Sequence, residues 1–237
     1  MIKERFVEYE HEGTLLEGFL AYDDANVNPV PGVLVSHAWA GRSDFECQKA
    51  RDLAELGYAG FALDLYGKGV LGSGPEENSK LMGPFLEDRS LLQSRLTLCH
   101  ETMQAQPEVD QEKTAAIGFC FGGLCVLDLA RIGTDIKGVV SFHGLFNAPG
   151  NTEGKKIKAR ILALHGNDDP MVPVEMVTGL EKELTEVGAD WQIHVYGNTK
   201  HAFTNPEAND QNLGTVYNAN ADRRSWQSMK NFLEELF

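Results

Sequence analysis

The residues best suited to chemistry lie in the segment 117–123, which reads Ile-Gly-Phe-Cys-Phe-Gly-Gly. Cys120 stands in a Gly-x-Cys-x-Gly pattern, the spacing of a nucleophile elbow with cysteine in place of the usual serine. In an elbow the chain turns sharply from a strand into a helix, and flanking glycines avoid a clash that a Cβ atom would cause. We therefore predict that Cys120 is a nucleophile. The alternative is a buried structural cysteine before a glycine-rich helix start.

A nucleophilic cysteine of this kind needs an acid and a histidine, which follow it along the chain in that order. Asp168 and Asp169 come directly after a buried apolar run. We predict Asp169, directly before Pro170, as the acid, and Asp168 as a solvated or turn-forming carboxylate. His201 follows the next predicted strand, where a catalytic base belongs, so we predict it as the base. A hydrogen-bonded structural histidine is the alternative for that position.

These residues form a coherent catalytic group. Asp169 would orient His201, which would pair with Cys120. The start of the following helix and a neighbouring imidazolium would both favour the thiolate form of the cysteine. Attack on an ester carbonyl would create an oxyanion, for which we predict the backbone N–H groups of Phe121 and Trp39 as donors. For Trp39, simple packing under the loop is the alternative.

Other residues are candidates for the substrate pocket or its support. We expect His37 and Ala38, after an early predicted strand, and Phe203, beside His201, to line the pocket. His143 and His165 end predicted strands, so we expect them to support the site rather than to act as the base.

The elements that must position these residues alternate between strands and helices. Strands are predicted at 5–10, 15–22, 32–36, 58–65, 114–117, 136–142, 159–164 and 191–196, and helices at 45–56, 87–104, 124–131, 174–187 and 221–236. Residues 66–80 are predicted as a loop, and the stretch 66–83 is expected to set specificity. This order predicts one α/β domain over 1–237, with a mainly parallel sheet, an N-terminal antiparallel hairpin and helices on both faces.

The composition restricts the possible partners. The chain has 42% apolar and 24% charged residues and a net charge of −14, which argues against binding nucleic acid or anionic membranes through a basic surface. It has no apolar stretch of membrane-spanning length and no signal-peptide pattern, so we expect a cytoplasmic protein. A monomer is slightly favoured over an oligomer. The four cysteines form no zinc-type cluster and are expected to be free thiols.

Together these motifs resemble the dienelactone hydrolase family, a branch of the α/β-hydrolases with a cysteine nucleophile. The matching segments are 63–67 (Leu-Asp-Leu-Tyr-Gly), 118–123, 165–170 with 172–173, and 201–203. The resemblance implies an α/β-hydrolase fold, a triad of Cys120, Asp169 and His201, and an oxyanion hole from the N–H groups of Trp39 and Phe121. It also implies a small ester or lactone as substrate and no metal or organic cofactor.

The chain departs from the family pattern at two places that concern the substrate. Ala38 stands where described members carry a glutamate that holds the resting thiol. The residues after Phe203 are Thr204 and Asn205, without the arginine that binds a substrate carboxylate in those members. Arg89, on a predicted helix, is a candidate for a second such arginine, and a salt-bridging structural residue is the alternative for that position. The resemblance therefore implies ester hydrolysis through a thioester rather than a particular substrate. A thioester, peptide or modified-sugar hydrolase, and a non-catalytic ligand-binding or thiol redox-sensing protein, stay open as alternatives.

Overall fold

The computed structural model describes the whole chain, Met1–Phe237. The strands of the main sheet are β1 (Ile2–His11), β2 (Thr14–Asp23), β3 (Val30–Ser36), β4 (Ala59–Ala62), β5 (Val109–Phe119), β6 (Gly138–Phe142), β7 (Arg160–Gly166) and β8 (Trp191–Tyr196). They lie in the order β1-β2-β4-β3-β5-β6-β7-β8. The helices are α1 (Asp44–Glu55), α2 (Pro75–Glu87), α3 (Arg89–Gln104), α4 (Phe121–Arg131), α5 (Val174–Glu186) and α6 (Ala219–Leu236). The predicted α/β class, with a mainly parallel sheet, is confirmed.

The chain divides into two compact units, Met1–Ile117 and Gly118–Phe237. In the first unit, β1 and β2 form the predicted antiparallel hairpin. Glu12 and Gly13 connect the strands with positive φ angles of 49° and 78°, which suits a tight turn with glycine at its second central position. Strand β4 pairs with β2 in antiparallel and with β3 in parallel orientation, so the hairpin continues into the parallel part of the sheet.

Helix α1 begins and ends at residues of the expected types. The Ser43 side chain accepts a hydrogen bond from the N–H of the first turn, and Glu46 reaches back to the Ser43 backbone N–H at 2.9 Å, which is a capping box. Gly57 follows the helix with φ of 93°, a left-handed conformation that glycine adopts without strain. The predicted helix over 45–56 is therefore confirmed to within about one residue at each end.

The predicted helix over 87–104 is confirmed by α3, but the prediction of a loop over 66–80 is wrong from residue 75 onward, where a further helix lies. Helix α2 begins at Pro75, and a separate helix, α3, begins at Arg89. A proline at the first helical position has the required φ and needs no N–H partner there, and Glu76 and Glu77 carry negative charge in the same turn, where the helix dipole favours it. The Asp88 side chain separates the two helices, because it caps the start of α3.

In the second unit, β6, β7 and β8 pair in parallel, and apolar side chains of β6, β7 and α4 form the core. A two-stranded antiparallel ribbon, β9 (Asn209–Asp210) and β10 (Thr215–Val216), follows β8 and was not expected from the sequence. All four cysteines are free thiols, as predicted. None of the helices is long and apolar enough to cross a membrane.

Candidate active site

Cys120 occupies a strained turn between β5 and α4. Its φ and ψ angles are 55° and −115°, a combination that non-glycine residues adopt only where the surrounding structure enforces it. The turn is so tight that a Cβ on Gly118 would lie 2.0 Å from the carbonyl oxygen of Gly122, and one on Gly123 would lie 2.6 Å from the Cα of Gly144. Close backbone packing thus requires glycine at position 118 of the pattern and at position 123 directly after it, as the elbow interpretation predicts.

The backbone around Cys120 is fixed by hydrogen bonds. Its N–H lies between two acceptors, the carbonyl oxygen of Phe142 at 3.0 Å and Nδ1 of His143 at 3.2 Å. Its carbonyl oxygen accepts from the Gly123 N–H at 2.9 Å. The residue is half-buried. Phe121 begins α4, so its N–H belongs to the first turn of that helix.

Asp169 and His201 form a buried pair in the same unit. Oδ2 of Asp169 lies 2.7 Å from Nδ1 of His201, and at most 1% of either side chain is exposed. The other carboxylate oxygen of Asp169 accepts from the Met171 N–H at 2.8 Å. Asp168, by contrast, is exposed and bonds the side chain of its neighbour Asn167. The structure therefore brings Asp169, and not Asp168, against the histidine.

Backbone hydrogen bonds join the two loops that carry this pair. The loop after β7 donates from the N–H of Asn167 to the carbonyl of Tyr196, and from the N–H of Asp168 to the carbonyl of Thr199, both at 2.9 Å. A Cβ on Gly166 would lie 2.5 Å from the same Thr199 oxygen. The close approach of the two loops sets the Asp169–His201 distance.

The ribbon β9–β10 holds His201 from the other side. The N–H of His201 donates to the carbonyl of Gly214 at 3.0 Å, and its carbonyl accepts from the Val216 N–H at 2.9 Å. Gly214 has φ of 75°, and a Cβ there would meet the ring of Pro170 at 2.3 Å. The ribbon thus ties His201 to the Asp169 loop, because it contacts Pro170 as well.

Charge at the site favours the protonated form of His201. Burial alone would lower the pKa of His201, but the charge of Cys120 and the hydrogen-bonding interactions with Asp169 and Cys120 outweigh it and raise this pKa from 6.5 to about 10. Nε2 of His201 is buried and has no hydrogen bond of regular geometry. Catalytic hydrogen bonds are often long or poorly aligned before substrate binds, so this geometry is compatible with the predicted pairing of Nε2 with the Cys120 thiol.

Two further histidines lie at strand ends near the pair. His143 contacts the rings of His201 and Phe203 edge to face, with centroids 5.1 and 5.0 Å apart. His165 is buried beside Phe146, and burial lowers its pKa. Phe203, predicted to line the pocket, is fully buried in this packing. No three His, Cys, Asp or Glu side chains converge in a metal-binding group.

The early loop residues singled out in the sequence lie after β3 in the first unit. His37 is fully buried. Its Nε2 accepts from the Leu65 N–H at 3.2 Å, and its Nδ1 bonds the carbonyl of Ala38 at 2.7 Å, so both ring nitrogens hold backbone in place. The carbonyl of Trp39 accepts from the Tyr66 hydroxyl at 3.1 Å. These contacts fix the loop, and the pocket roles of His37 and Ala38 stay predictions.

Comparisons with known proteins give the family of the chain. The sequence model of the Dienelactone hydrolase family matches residues 16–237. The crystal structure of a dienelactone hydrolase-like promiscuous phosphotriesterase from metagenomic libraries superposes with a TM-score of 0.94 and 37% identity. That match covers 100% of this chain and 99% of the other.

Two sequence relatives are also similar to the chain. An uncharacterized protein of Caenorhabditis elegans is 36% identical over 152 residues, which are 62% of this chain and 94% of the relative. A candidate carboxymethylenebutenolidase of Synechocystis sp. is 27% identical over 248 aligned positions, which cover 98% of this chain and 97% of the relative. The sequence is thus similar to the dienelactone hydrolase family, and the architecture to a dienelactone hydrolase-like enzyme.

Proposed function

The chain belongs to the dienelactone hydrolase family and is a hydrolase, and we propose that it cleaves a small, uncharged carboxylic ester or lactone through a thioester on Cys120. The observation that carries the proposal is the buried 2.7 Å contact between Asp169 and His201, and the pKa of that histidine, which Cys120 and Asp169 raise, supports it. A nucleophile, a base and an orienting carboxylate in this relation are the requirements of nucleophilic acyl transfer.

In the acylation step, the thiolate of Cys120 attacks the carbonyl carbon and forms the C–S bond. His201 is protonated at neutral pH because its pKa is raised to about 10, so it donates its Nε2 proton to the departing alkoxide oxygen as the C–O bond breaks. Asp169 bonds Nδ1, which directs the transferred proton to Nε2 and stabilises the imidazolium. A thioester and an alcohol result, or, for a lactone, a thioester that keeps the alcohol attached.

In the deacylation step, the neutral His201 removes a proton from water, and the resulting hydroxide attacks the thioester carbonyl. The C–S bond breaks, the carboxylic acid leaves, and thiolate and imidazolium are restored. For the oxyanion of both steps we propose the N–H of Phe121, in the first turn of α4, as a donor. The N–H of Trp39, the second donor that the sequence predicts, stays a prediction.

The proposal of an uncharged acyl group rests on Thr204 and Asn205, which follow the base along the chain. Thr204 stands in the stretch where described family members carry an arginine, and its hydroxyl lies 2.8 Å from Nε2 of His143. This stretch supplies hydrogen bonds within the protein and no cation for a carboxylate. A cytoplasmic location, a monomeric state and a single domain over 1–237 stay predictions from the sequence.

Steady-state hydrolysis of short-chain aryl esters and simple lactones tests the proposal. We expect Cys120→Ala and His201→Ala to lower kcat by about 10³-fold or more, and Asp169→Asn by a smaller but still large factor. Two matched controls lie close by: Cys125→Ala replaces a second thiol of α4, and Asp168→Asn replaces the exposed neighbour of the acid. Wild-type rates in the Cys120 and His201 variants would exclude this mechanism.

A further inference from the structure

His143 is held in an unusual backbone conformation directly behind the nucleophile. It follows the last residue of β6 and has φ of 39°, in the left-handed region that non-glycine residues seldom occupy. The residue is 2% exposed. Such a conformation costs free energy and persists only where other interactions compensate for it. The proposed acyl-transfer steps do not use this side chain, so its cost needs another explanation.

The hydrogen bonds of the ring fix its protonation state. A backbone N–H can only donate, so Nδ1 of His143, which lies 3.2 Å from the N–H of Cys120, is the unprotonated nitrogen. Nε2 then carries the hydrogen and donates it to Oγ1 of Thr204 at 2.8 Å. The ring is a neutral imidazole that accepts from the nucleophile residue and donates to the loop that carries His201.

The packing of the ring supports the same connection. The ring of His143 packs edge to face against the rings of His201 and Phe203, with centroid distances of 5.1 and 5.0 Å. This is a favoured arrangement for ring pairs. Burial, and then the positive charge of His201, lower the pKa of His143 well below its usual value. The neutral form that the two hydrogen bonds require is therefore the form that the surroundings favour.

We propose that His143 is a positioning residue, which links the Cys120 elbow to the His201–Thr204 loop through one neutral imidazole ring and so holds thiol and base at their working separation. This inference rests on the proposed function, because it assigns His143 a role only if Cys120 and His201 react together. Small displacements between reacting groups lower rates strongly, so the expected effect is on kcat and not on substrate binding.

The link from the Cys120 N–H through the His143 ring to the Thr204 hydroxyl is called the bridge. The test uses variants that remove or restore individual hydrogen bonds of this bridge. His143→Phe keeps a ring of similar size and removes both hydrogen bonds. His143→Asn keeps a residue type that tolerates positive φ, and its amide oxygen can still accept from the Cys120 N–H. Thr204→Val keeps the shape of the side chain and removes only the hydroxyl that accepts from Nε2 of His143.

We expect His143→Phe to lower kcat for aryl esters by about tenfold or more, with KM within about twofold of wild type, since two buried hydrogen bonds are lost. We expect His143→Asn to recover part of that loss. Thr204→Val should lower kcat in the wild-type background but have little further effect beside His143→Phe, since the two residues then act as one unit. If His143→Phe does not fold, Thr204→Val, alone and combined with His143→Asn, decides the question.

The two proposals fail in different ways. If Cys120→Ala abolishes turnover while His143→Phe and Thr204→Val retain wild-type kcat, the mechanism stands and the bridge is excluded. Strictly additive effects of His143→Phe and Thr204→Val would also exclude it. If Cys120→Ala retains turnover, the proposed function fails, and the role of His143 fails with it.

Discussion

The rings of His143 and His201 lie edge to face with their centroids 5.1 Å apart, and their pKa values are shifted in opposite directions. Cys120 and Asp169 raise the pKa of His201, whereas burial and the charge of His201 lower that of His143. Neighbouring titratable groups with opposite shifts mark acid–base assignments in enzyme sites. In this site the opposite shifts indicate that His201 carries the proton transferred in the reaction and that the ring of His143 stays neutral.

The raised pKa of His201 predicts that its ring loses the proton only at high pH. We expect the ring of His201, followed by NMR with labelled histidine, to stay protonated through neutral pH and to titrate near pH 10. Asp169→Asn should lower this pKa, because it removes the carboxylate that favours the imidazolium. Asp168→Asn is the matched control and should leave the titration unchanged. Titration of His201 near 6.5 in the wild type would contradict the proposed charge state.

The raised pKa of His201 also makes the free energy of unfolding decrease as the pH rises. A raised pKa means that the folded chain holds a proton at His201 that the unfolded chain loses. The resulting stabilisation is fully present below pH 6.5, the unshifted value, and is lost as the pH rises to about 10. Urea unfolding across this range should show the free energy of unfolding of the wild type converging on that of Asp169→Asn at high pH. A constant difference between the two would contradict the linkage.

His143 predicts the opposite behaviour in acid. Its pKa is lowered in the folded state, so the unfolded chain binds the extra proton, and the stability due to neutral His143 is present above pH 6.5 and falls as the pH drops below it. The slope from one such group is at most about 1.4 kcal/mol per pH unit. Replacing His143 by Asn should reduce the acid dependence of urea unfolding. If the acid dependence of the free energy of unfolding is the same in His143→Asn and the wild type, the neutral state of His143 is contradicted.

Two glycines offer a matched test of the elbow. Gly118→Ala would place a Cβ 2.0 Å from the Gly122 carbonyl oxygen, so we expect a loss of at least about 3 kcal/mol of stability or failure to fold. Gly179→Ala adds the same atom in α5, where nothing lies within 4 Å, and should stabilise the chain by about 0.5–1 kcal/mol because alanine favours the helix. Equal effects of the two changes on the thermal midpoint would contradict the tight turn.

The lack of a cation at positions 204 and 205 predicts a preference among substrates. An aryl ester with a neutral acyl chain should have kcat/KM at least about tenfold higher than the same ester ending in a carboxylate, because the charge would be buried without a partner. The net charge of −14 also repels anions, but added salt screens that effect. A difference that persists in high salt therefore reports on the site, and a preference for the carboxylate ester would contradict the proposal.

Much of the fold and several site residues could be predicted because their signals are local. Gly13 and Gly57 mark turns at which the chain takes a positive φ, and the Gly-x-Cys-x-Gly spacing marks a turn that excludes Cβ atoms. The glycines and the proline of the stretch 66–80 indicate a loop and so conceal helix α2, although a proline such as Pro75 also suits the first position of a helix. That signal was present in the sequence and could have been used.

Other features had no local signal. The bridge from Cys120 through His143 to Thr204 joins residues 23 and 61 positions apart, and a single histidine at a strand end does not reveal which loops its nitrogens will reach. The ribbon that holds His201 has strands of only two residues, too short for a periodic pattern. Such contacts arise from the approach of distant segments, so only the folded chain shows them.

The central claim is that Cys120 carries the acyl group during turnover. Acid quenching of the enzyme during hydrolysis of an activated aryl acetate, followed by intact-protein mass spectrometry and peptide mapping, tests this most directly. We predict one added acetyl group on Cys120 in the wild type and none in Cys120→Ala, which should also lose turnover. Steady turnover by the wild type with no adduct on Cys120, together with wild-type activity of Cys120→Ala, would contradict it.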